Sequence, residues 1–295
     1  MKKTSSGEGK KAFREPSSAK PVARQPQSSP FQLSYRNYLR LIFVLIVFGG
    51  GYLALRFQNK FGEVPRYTFE NVKKYDKDPL AFTQGLVFDE NGEFLYESTG
   101  LLGQSSFRKI DWKTGKVLVN KPLDPSYFGE GLTLLDDKFY QLTWRNELIL
   151  VYDREMNLLS KHEFAKEMWG LTTDGKNLII SVGTGQFIFV DPKTMEKVNS
   201  VTVKHGNSTA NYLNELEYSN GVIYANRYQS DLIYEIDAKT FVVSAVIDLS
   251  GLWPQKDRPT DGVLNGVAVN KALKKMFVTG KLCPYLYEIE LKLTK

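Results

Sequence analysis

The chain has 295 residues, of which 42% are hydrophobic, enough to bury the core of one large all-β domain or of two ordinary domains. Its formal net charge of +6 comes from the first 40 residues, where nine Lys and Arg face two Glu, so the remaining chain is close to neutral. A near-neutral folded part argues against binding to nucleic acid, and the single cysteine, Cys283, excludes an intrachain disulfide and a cysteine metal cluster.

The chain begins with residues 1–37, whose Ser, Pro, Lys and Gln content without apolar periodicity predicts a disordered tail. The uncharged run Leu41–Leu55 follows, and residues 38–57 are together long enough to cross a bilayer as one helix. The basic tail predicts a cytoplasmic N-terminus and a type II signal-anchor, with the later domain luminal, extracellular or, in a bacterium, periplasmic. A cleaved signal peptide is the alternative, although this polar leader is long for one. Residues 58–65 are interpreted as a linker.

After Arg66 the sequence repeats a short pattern: a polar or aromatic residue, then Gly or Glu, then Leu or Val at the head of a strand. The second residues of neighbouring copies lie 46, 39, 45 and 51 positions apart. Each copy is followed by a turn and further strand patterns. The copies are Gln84–Leu86, Glu130–Leu132, Trp169–Leu171, Asn214–Leu216 and Asn265–Val267.

Four short strands in each unit of about 40–50 residues are typical of a β-propeller, so five units predict a five-bladed, all-β propeller over residues 66–295. The last unit ends near Leu291 without a fourth strand. We expect the spare strand Arg66–Val72 to supply it, which would close the ring and hide the sheet edges. A β-sandwich with a second domain is the alternative architecture.

Glu130 lies between Gly129 and Gly131, and Tyr127 and Phe128 precede Gly129. Aromatic rings lower the local dielectric, so a carboxyl group placed among them keeps its proton to a higher pH. This makes Glu130 a candidate acid/base group. The plainer interpretation is a β-bulge formed by the glycine pair, with a solvated glutamate.

Equivalent positions of the repeats are expected to meet at one mouth of a propeller, because the first strand of every blade lines the central axis. They would bring together a carboxyl group, an ammonium group, several amides and large aromatic side chains, which is the composition of a binding pocket. Inter-blade packing of the tryptophans, backbone capping by the amides and a plain surface lysine are the alternatives. No metal site is predicted, because the two histidines form no ligand pattern. The residues at the heads of the repeats are Gln84, Glu130, Trp169, Asn214 and Asn265. The second set of equivalent positions holds Thr99, Trp144, Gly183, Tyr228 and Gly280, with Lys281 next to the last of them.

Eight motifs occur in order between about Arg66 and Leu291. They are Ala81–Leu86, Tyr96–Gly100, Tyr127–Leu132, Gln141–Trp144, Trp169–Thr172, Leu213–Glu217, Leu264–Gly266 and Thr279–Lys281. Together they resemble the plant-type glutaminyl cyclases, or glutaminyl-peptide cyclotransferases, of the papaya and bacterial kind. The resemblance implies a five-bladed propeller that converts the N-terminal glutamine of peptides or proteins into pyroglutamate and releases ammonia. It implies no required cofactor, although some members hold a structural metal ion in the central channel.

The resemblance also implies roles for single residues. Glu130 matches the family's essential acid/base glutamate, whereas Tyr228 stands where the family usually has Trp, and Ser181–Gly183 stands where Asp-Gly is common. We predict that the catalytic residues are Glu130, Lys281 and Asn214. We predict that the substrate-binding residues are Phe82, Gln84, Phe128, Trp144, Trp169, Tyr228 and Asn265.

Two other kinds of function stay open on the sequence. A membrane-tethered propeller could act only as a non-catalytic binding platform. A glycosidase would need two carboxyl groups that flank the scissile bond. Glu215 and Glu217 are available for that, although Glu215 aligns with the repeat glycines.

Overall fold

The computed structural model describes residues 64–294, which form an all-β fold. The helical element in this part of the chain is a single 3-10 turn at Gln255–Asp257. The predicted tail at 1–37, the predicted anchor at 38–57 and most of the linker at 58–65 lie outside the described residues. Within residues 64–294, no helix combines the length and the apolar character needed to cross a membrane.

The strands are short and follow one another closely. They are β1 (Arg66–Asp76), β2 (Thr83–Phe88), β3 (Leu95–Thr99), β4 (Ser106–Asp111), β5 (Lys116–Pro122), β6 (Gly129–Leu135), β7 (Lys138–Thr143), β8 (Leu148–Tyr152), β9 (Leu158–Glu163), β10 (Leu171–Thr173), β11 (Leu178–Ser181), β12 (Gln186–Val190), β13 (Lys197–Thr202), β14 (Lys204–His205), β15 (Ser208–Thr209), β16 (Leu213–Ser219), β17 (Val222–Arg227), β18 (Leu232–Asp237), β19 (Val243–Asp248), β20 (Leu264–Asn270), β21 (Lys275–Gly280) and β22 (Tyr285–Leu293).

Most strands pair antiparallel with their neighbours in sequence, in groups of four. Group 1 is β2–β5, group 2 is β6–β9 and group 3 is β10–β13. A larger sheet has the order β16-β17-β18-β19-β1-β22-β21-β20 and joins group 4 (β16–β19) to group 5 (β20–β22 with β1). Strands β14 and β15 form a small separate hairpin.

Strand β1 completes group 5. It pairs antiparallel with β22 from Tyr67 opposite Leu293 to Asp76 opposite Tyr285, and its first residues pair parallel with β19. The predicted use of the spare N-terminal strand is therefore confirmed, although the strand continues beyond Val72. Because β1 covers the edge of β22, that edge is not left open for pairing with another chain.

The hydrophobic core lies between neighbouring groups. Each of the five buried clusters takes its residues from two adjacent groups, including groups 5 and 1. Phe107 of group 1, for example, packs against Phe139 of group 2 with ring centroids 5.1 Å apart. The first strands also follow a circle of contacts, from β2 to β6, β10, β16, β20 and back to β2. This circle brings the heads of the repeats together.

The repeat glycines are explained by the close approach of neighbouring first strands. A Cβ atom on Gly131 would lie 2.3 Å from the backbone nitrogen of Leu171, and one on Gly170 would lie 1.9 Å from the carbonyl oxygen of Asn214. Both separations are far below a van der Waals contact, so a side chain at either position would push two first strands apart.

Candidate active site

Backbone bulges set the direction of the side chains at the first residues of several repeats. In group 2, Gly129 pairs with Thr143 and Leu132 pairs with Gln141, so two residues of β6 oppose a single residue of β7. Similar register shifts occur at the heads of β2, β16 and β20. A bulge re-aims the side chain of its extra residue. The bulge of the plainer interpretation is present, but the solvated carboxylate of that interpretation is not, because Glu130 is only 5% exposed.

These side chains surround a cavity of about 210 Å³. It contains all three predicted catalytic residues and six of the seven predicted substrate-binding residues. The lining residues are Phe82, Gln84, Phe128, Glu130, Trp144, Trp169, Asn214, Tyr228 and Lys281. Asn265 is the exception, and the interpretation of this residue as part of the cavity wall is corrected by the structure.

Two side-chain amides, linked by a hydrogen bond, position the Glu130 carboxylate. Gln84 Nε2 donates to Glu130 Oε1 at 3.0 Å. Asn265 Nδ2 in turn donates to Gln84 Oε1 at 3.2 Å and to the carbonyl oxygen of Thr83 at 3.0 Å. Asn265 therefore orients Gln84, and its 1% exposure leaves it no surface toward a ligand.

Burial changes the proton affinity of both ionisable groups in the cavity. Loss of hydration raises the pKa of Glu130 well above its usual value, while the Lys281 cation acts in the opposite direction. Loss of hydration also lowers the pKa of Lys281, against the influence of Glu130. The two pKa values move toward each other, which suits a site that exchanges protons near neutral pH.

Asn214 offers a free polar atom inside this cavity. Its Oδ1 is buried and has no hydrogen-bond partner within residues 64–294. Buried polar atoms normally have a partner. The Oδ1 atom can only accept a hydrogen bond, so a ligand group that reaches it must be a donor.

Aromatic side chains and two charged groups form a continuous rim. Phe82 packs edge-on against Phe128 and Phe128 against Trp144, with ring centroids 6.0 and 5.6 Å apart. Trp169 packs edge-on against Tyr228 at 5.4 Å. Lys281 Nζ closes one gap, 5.1 Å from the ring centroid of Tyr228 and 4.8 Å from that of Phe82.

Glu167 closes the other gap, and the sequence reasoning missed it. Its Oε1 accepts hydrogen bonds from the indole nitrogens of Trp144 at 2.8 Å and Trp169 at 2.9 Å. These two bonds lower the pKa of Glu167, so the carboxylate is charged at neutral pH. Its only sequence signal is a position two residues before Trp169, outside the repeat pattern.

No group of three or more His, Cys, Asp or Glu within residues 64–294 is placed to hold a metal ion. The buried side-chain amide oxygens without a partner in this part of the chain are those of Asn214 and Asn265, and Ca²⁺ can also take backbone carbonyl oxygens among its roughly six to eight ligands. The oxygens of Glu215 are already used, because they accept hydrogen bonds from the backbone nitrogens of Leu86 at 3.2 Å and Val267 at 2.8 Å.

Comparison with known proteins identifies the family. The family model described as "Glutamine cyclotransferase" matches residues 44–291. The chain belongs to the glutamine cyclotransferase family. The resemblance carried by the eight motifs is thereby confirmed.

Two relatives of this glutamine cyclotransferase family member support the assignment. A glutaminyl-peptide cyclotransferase of Arabidopsis thaliana is 44% identical over 230 residues, which are 76% of this chain and 71% of that protein. The crystal structure of Myxococcus xanthus glutaminyl cyclase matches with a TM-score of 0.74 and 32% identity, and the match covers 79% of this chain and 100% of that chain.

The two segments where the resemblance implied other residues lie at the wall formed by Trp169. Tyr228 keeps an aromatic contact with Trp169 although it is smaller than Trp. Ser181 Oγ accepts a hydrogen bond from the backbone nitrogen of Gly170 at 2.8 Å and donates to the carbonyl oxygen of Asn214 at 2.7 Å. Gly183 has a φ of +71°, and a Cβ atom there would lie 2.7 Å from the Trp169 ring.

Proposed function

We propose that this protein converts the N-terminal glutamine of peptides and proteins into pyroglutamate and releases ammonia. The α-amine would attack the γ-carboxamide carbon of the same residue, forming the ring C–N bond as the bond to the amide nitrogen breaks. The observation that carries the proposal is the buried Glu130, which shares a small aromatic-walled cavity with Lys281 in a member of the glutamine cyclotransferase family.

Glu130 is the proposed acid/base group. An α-amine has a pKa of about 8, so about a tenth of it is already neutral and nucleophilic at pH 7. Glu130, as carboxylate, takes a proton from the attacking amine and then gives it to the departing nitrogen, which leaves as ammonia. The hydrogen bond from Gln84 reaches one carboxylate oxygen and leaves the other for this transfer.

Lys281 Nζ and Asn214 Nδ2, both hydrogen-bond donors, are the proposed groups that stabilise the oxyanion. Both line the cavity and both are buried, so their interaction with a developing negative charge is weakened little by water. A donor placed in this way contributes about 3–4 kcal/mol to a transition state in favourable cases.

The aromatic wall has a positioning role in this proposal. Phe128, Trp144 and Trp169 narrow the cavity around the glutamine side chain and exclude water. A folded side chain brings the amine and the carboxamide carbon into the near-attack arrangement that ring closure needs.

The decisive experiment is Glu130→Gln. The variant keeps an oxygen that can accept from Gln84, so the fold should persist, while ammonia release from a Gln-initiated peptide should fall about 10²- to 10⁴-fold. Ammonia is measured in a coupled assay, and thermal unfolding confirms the fold. Glu163→Gln, an exposed glutamate at the end of β9, is the matched control. A Glu130→Gln enzyme that works near the parent rate would refute the assignment.

The arrangement of the cavity residues supports the two alternative functions, a binding platform and a glycosidase, less well. A binding platform has no need for a buried carboxyl and ammonium pair. A glycosidase needs two carboxyl groups facing its substrate, but Glu215 accepts hydrogen bonds from two backbone amides and Glu217 Oε1 accepts one from Val269 at 2.9 Å. Neither carboxyl group lines the cavity.

For the architecture, we propose a closed five-bladed β-propeller in which groups 1 to 5 are the blades. Three features support it: the circle of contacts among the first strands, the five clusters between adjacent groups, and the completion of group 5 by β1. The central position of the head residues follows from this arrangement.

We also propose that residues 38–57 anchor the protein in a membrane, with a cytoplasmic N-terminus and the catalytic domain on the far side. The uncharged run Leu41–Leu55 and the basic tail support this orientation. After carbonate extraction, the full chain should stay with the membrane and a variant lacking 38–57 should be released. A variant lacking 1–37 is the control and should stay. Release of the full chain would contradict the anchor.

A further inference from the structure

The cavity has room for little more than one residue. Its volume of about 210 Å³ lies below the roughly 300–1,000 Å³ typical of sites for drug-sized ligands. If the N-terminal glutamine fills it, the peptide that follows must lie outside. The next question is which surface receives that segment.

One groove adjoins the cavity, and the residues they share form the boundary between them. It measures about 470 Å³ and shares three wall residues with the cavity: Phe82, Tyr228 and Lys281. Its other wall is formed mainly by residues 255–263, in the connection between β19 and β20. This connection accounts for the longest spacing between repeats, so the wall is an addition to the repeating unit.

The added wall is held firmly before any ligand arrives. Arg258 makes two hydrogen bonds to Asp231, at 2.8 and 3.0 Å, and its Nε donates to the carbonyl oxygen of Trp253 at 2.9 Å. The backbone nitrogen of Lys281 donates to the carbonyl oxygen of Val263 at 2.9 Å. A preformed wall lowers the entropic cost of binding, and the last bond joins it to the strand end that carries Lys281.

The groove has one carboxylate free for a ligand. Asp261 is exposed and forms no salt bridge within residues 64–294. The charge of Arg258 is already balanced by Asp231, and Lys281 is buried at the boundary with the cavity. The accessible charge along this groove is therefore negative.

We propose that this groove binds the second and third residues of the substrate peptide and that Asp261 favours a cationic side chain there. This inference rests on the proposed function, because it takes the glutamine to occupy the cavity. It defines the preferred substrates as peptides with Lys or Arg soon after the N-terminal glutamine.

The test compares two amidated peptides, Gln-Lys-Ala and Gln-Glu-Ala, with the full chain. The measured quantity is the kcat/KM for Gln-Lys-Ala divided by the kcat/KM for Gln-Glu-Ala. Asp261 also acts electrostatically on Lys281, but that influence is common to both peptides and cancels in the ratio. The ratio should exceed one in the parent and fall about two- to fivefold in Asp261→Asn, as expected for an exposed charge pair. High salt should reduce the parent ratio in the same direction.

The variants are chosen to preserve the backbone. Asp261 has a φ of +66°, which Asn and Gly adopt readily, so Asp261→Asn and Asp261→Gly should give the same change. Asp136→Asn is the matched control, because Asp136 is also an exposed aspartate with a positive φ, of +48°, in the turn between β6 and β7. Its ratio should equal that of the parent.

A second measurement separates this proposal from the proposed function. Calorimetry gives the dissociation constants of the amidated products pyroglutamyl-Lys-Ala and pyroglutamyl-Glu-Ala without turnover. If no Gln-peptide is cyclised but the affinity ratio still falls in Asp261→Asn, the groove stands and the function fails. If peptides are cyclised and neither ratio changes in Asp261→Asn, the groove assignment is overturned. If there is neither turnover nor a change in affinity, both are overturned.

Discussion

At the residue scale, Glu167 connects the two tryptophans of the cavity wall. One carboxylate oxygen accepts both indole N–H groups, so the rings hold a fixed relation although they belong to groups 2 and 3. Glu167→Ala would free both rings. We expect a loss of about 1–2 kcal/mol of transition-state stabilisation, or roughly 5- to 30-fold in kcat/KM, from two such bonds. Because Glu167 is exposed, thermal stability should change little.

One spectroscopic measurement and two further variants separate a positioning role of Glu167 from a general structural effect. Tryptophan fluorescence should shift in Glu167→Ala, because two indoles lose a charged acceptor. Glu167→Gln keeps a neutral acceptor and should recover part of the activity. Glu155→Ala, at an exposed position between β8 and β9, should match the parent in all assays. Unchanged kcat/KM in Glu167→Ala would show that the rim does not depend on this carboxylate.

The contrast between Glu130 and Glu167 shows which site residues a sequence can reveal. Glu130 occupies a repeated position, so the periodicity alone predicts that it meets the other head residues. Glu167 lies in a link before β10, and its role depends on where two indole nitrogens happen to point. Asn265 shows the opposite error: its position is equivalent to that of Glu130, but in the structure it donates to Gln84 behind the wall.

At the element scale, the recurring Gly-Leu pattern could be read because it has one physical cause. Neighbouring first strands approach so closely that Gly131 and Gly170 leave no room for a Cβ atom. In β16, Glu215 replaces the glycine and its carboxylate bonds to the backbones of β2 and β20. The sequence predicts the position of Glu215, but its partners on other strands depend on the closure of the circle.

Glu217 makes a similar connection and should make stability depend on pH. Its Oε1 accepts the backbone nitrogen of Val269 in β20 at 2.9 Å, and burial raises its pKa to about 7. The folded protein therefore binds this proton more tightly than the unfolded chain. The resulting stabilisation is complete below about pH 4.5 and is lost as the pH rises through 7, by about 3 kcal/mol in total.

Glu217→Gln removes this titration. The unfolding free energy of the parent minus that of Glu217→Gln should fall between pH 4.5 and 7.5, as measured by chemical denaturation at several pH values. Glu288→Gln is the control. Burial opposes ionisation of Glu288, but the hydrogen bonds from Tyr75 and Lys73 outweigh it and lower its pKa. The unfolding free energy of the parent minus that of Glu288→Gln should therefore not fall between pH 4.5 and 7.5. A constant difference for Glu217→Gln would contradict the raised pKa.

At the scale of the whole molecule, the circle of groups depends on one strand from the start of the described chain. β1 pairs with β22 over nearly its full length. Tyr67, Phe69 and Val72 pack against the cluster between groups 4 and 5, and Tyr75 against the cluster between groups 5 and 1. The first and last strands of the described chain therefore pair with each other. Pairing between strands that are neighbours in sequence is not enough to complete the fold.

Removal of β1 should prevent stable folding. A fully buried large apolar side chain contributes about 1.5–3 kcal/mol, so four partly buried ones are comparable with the net stability of about 5–15 kcal/mol of a typical protein. The edge of β22 would also be exposed for pairing with other chains. A chain that starts at residue 78 should be insoluble, or should lose cooperative unfolding, whereas a chain that starts at residue 64 should fold and retain activity. Size-exclusion chromatography and thermal unfolding measure both outcomes. If the chain starting at 78 were monomeric and unfolded cooperatively near the parent temperature, β1 would not be what closes the circle.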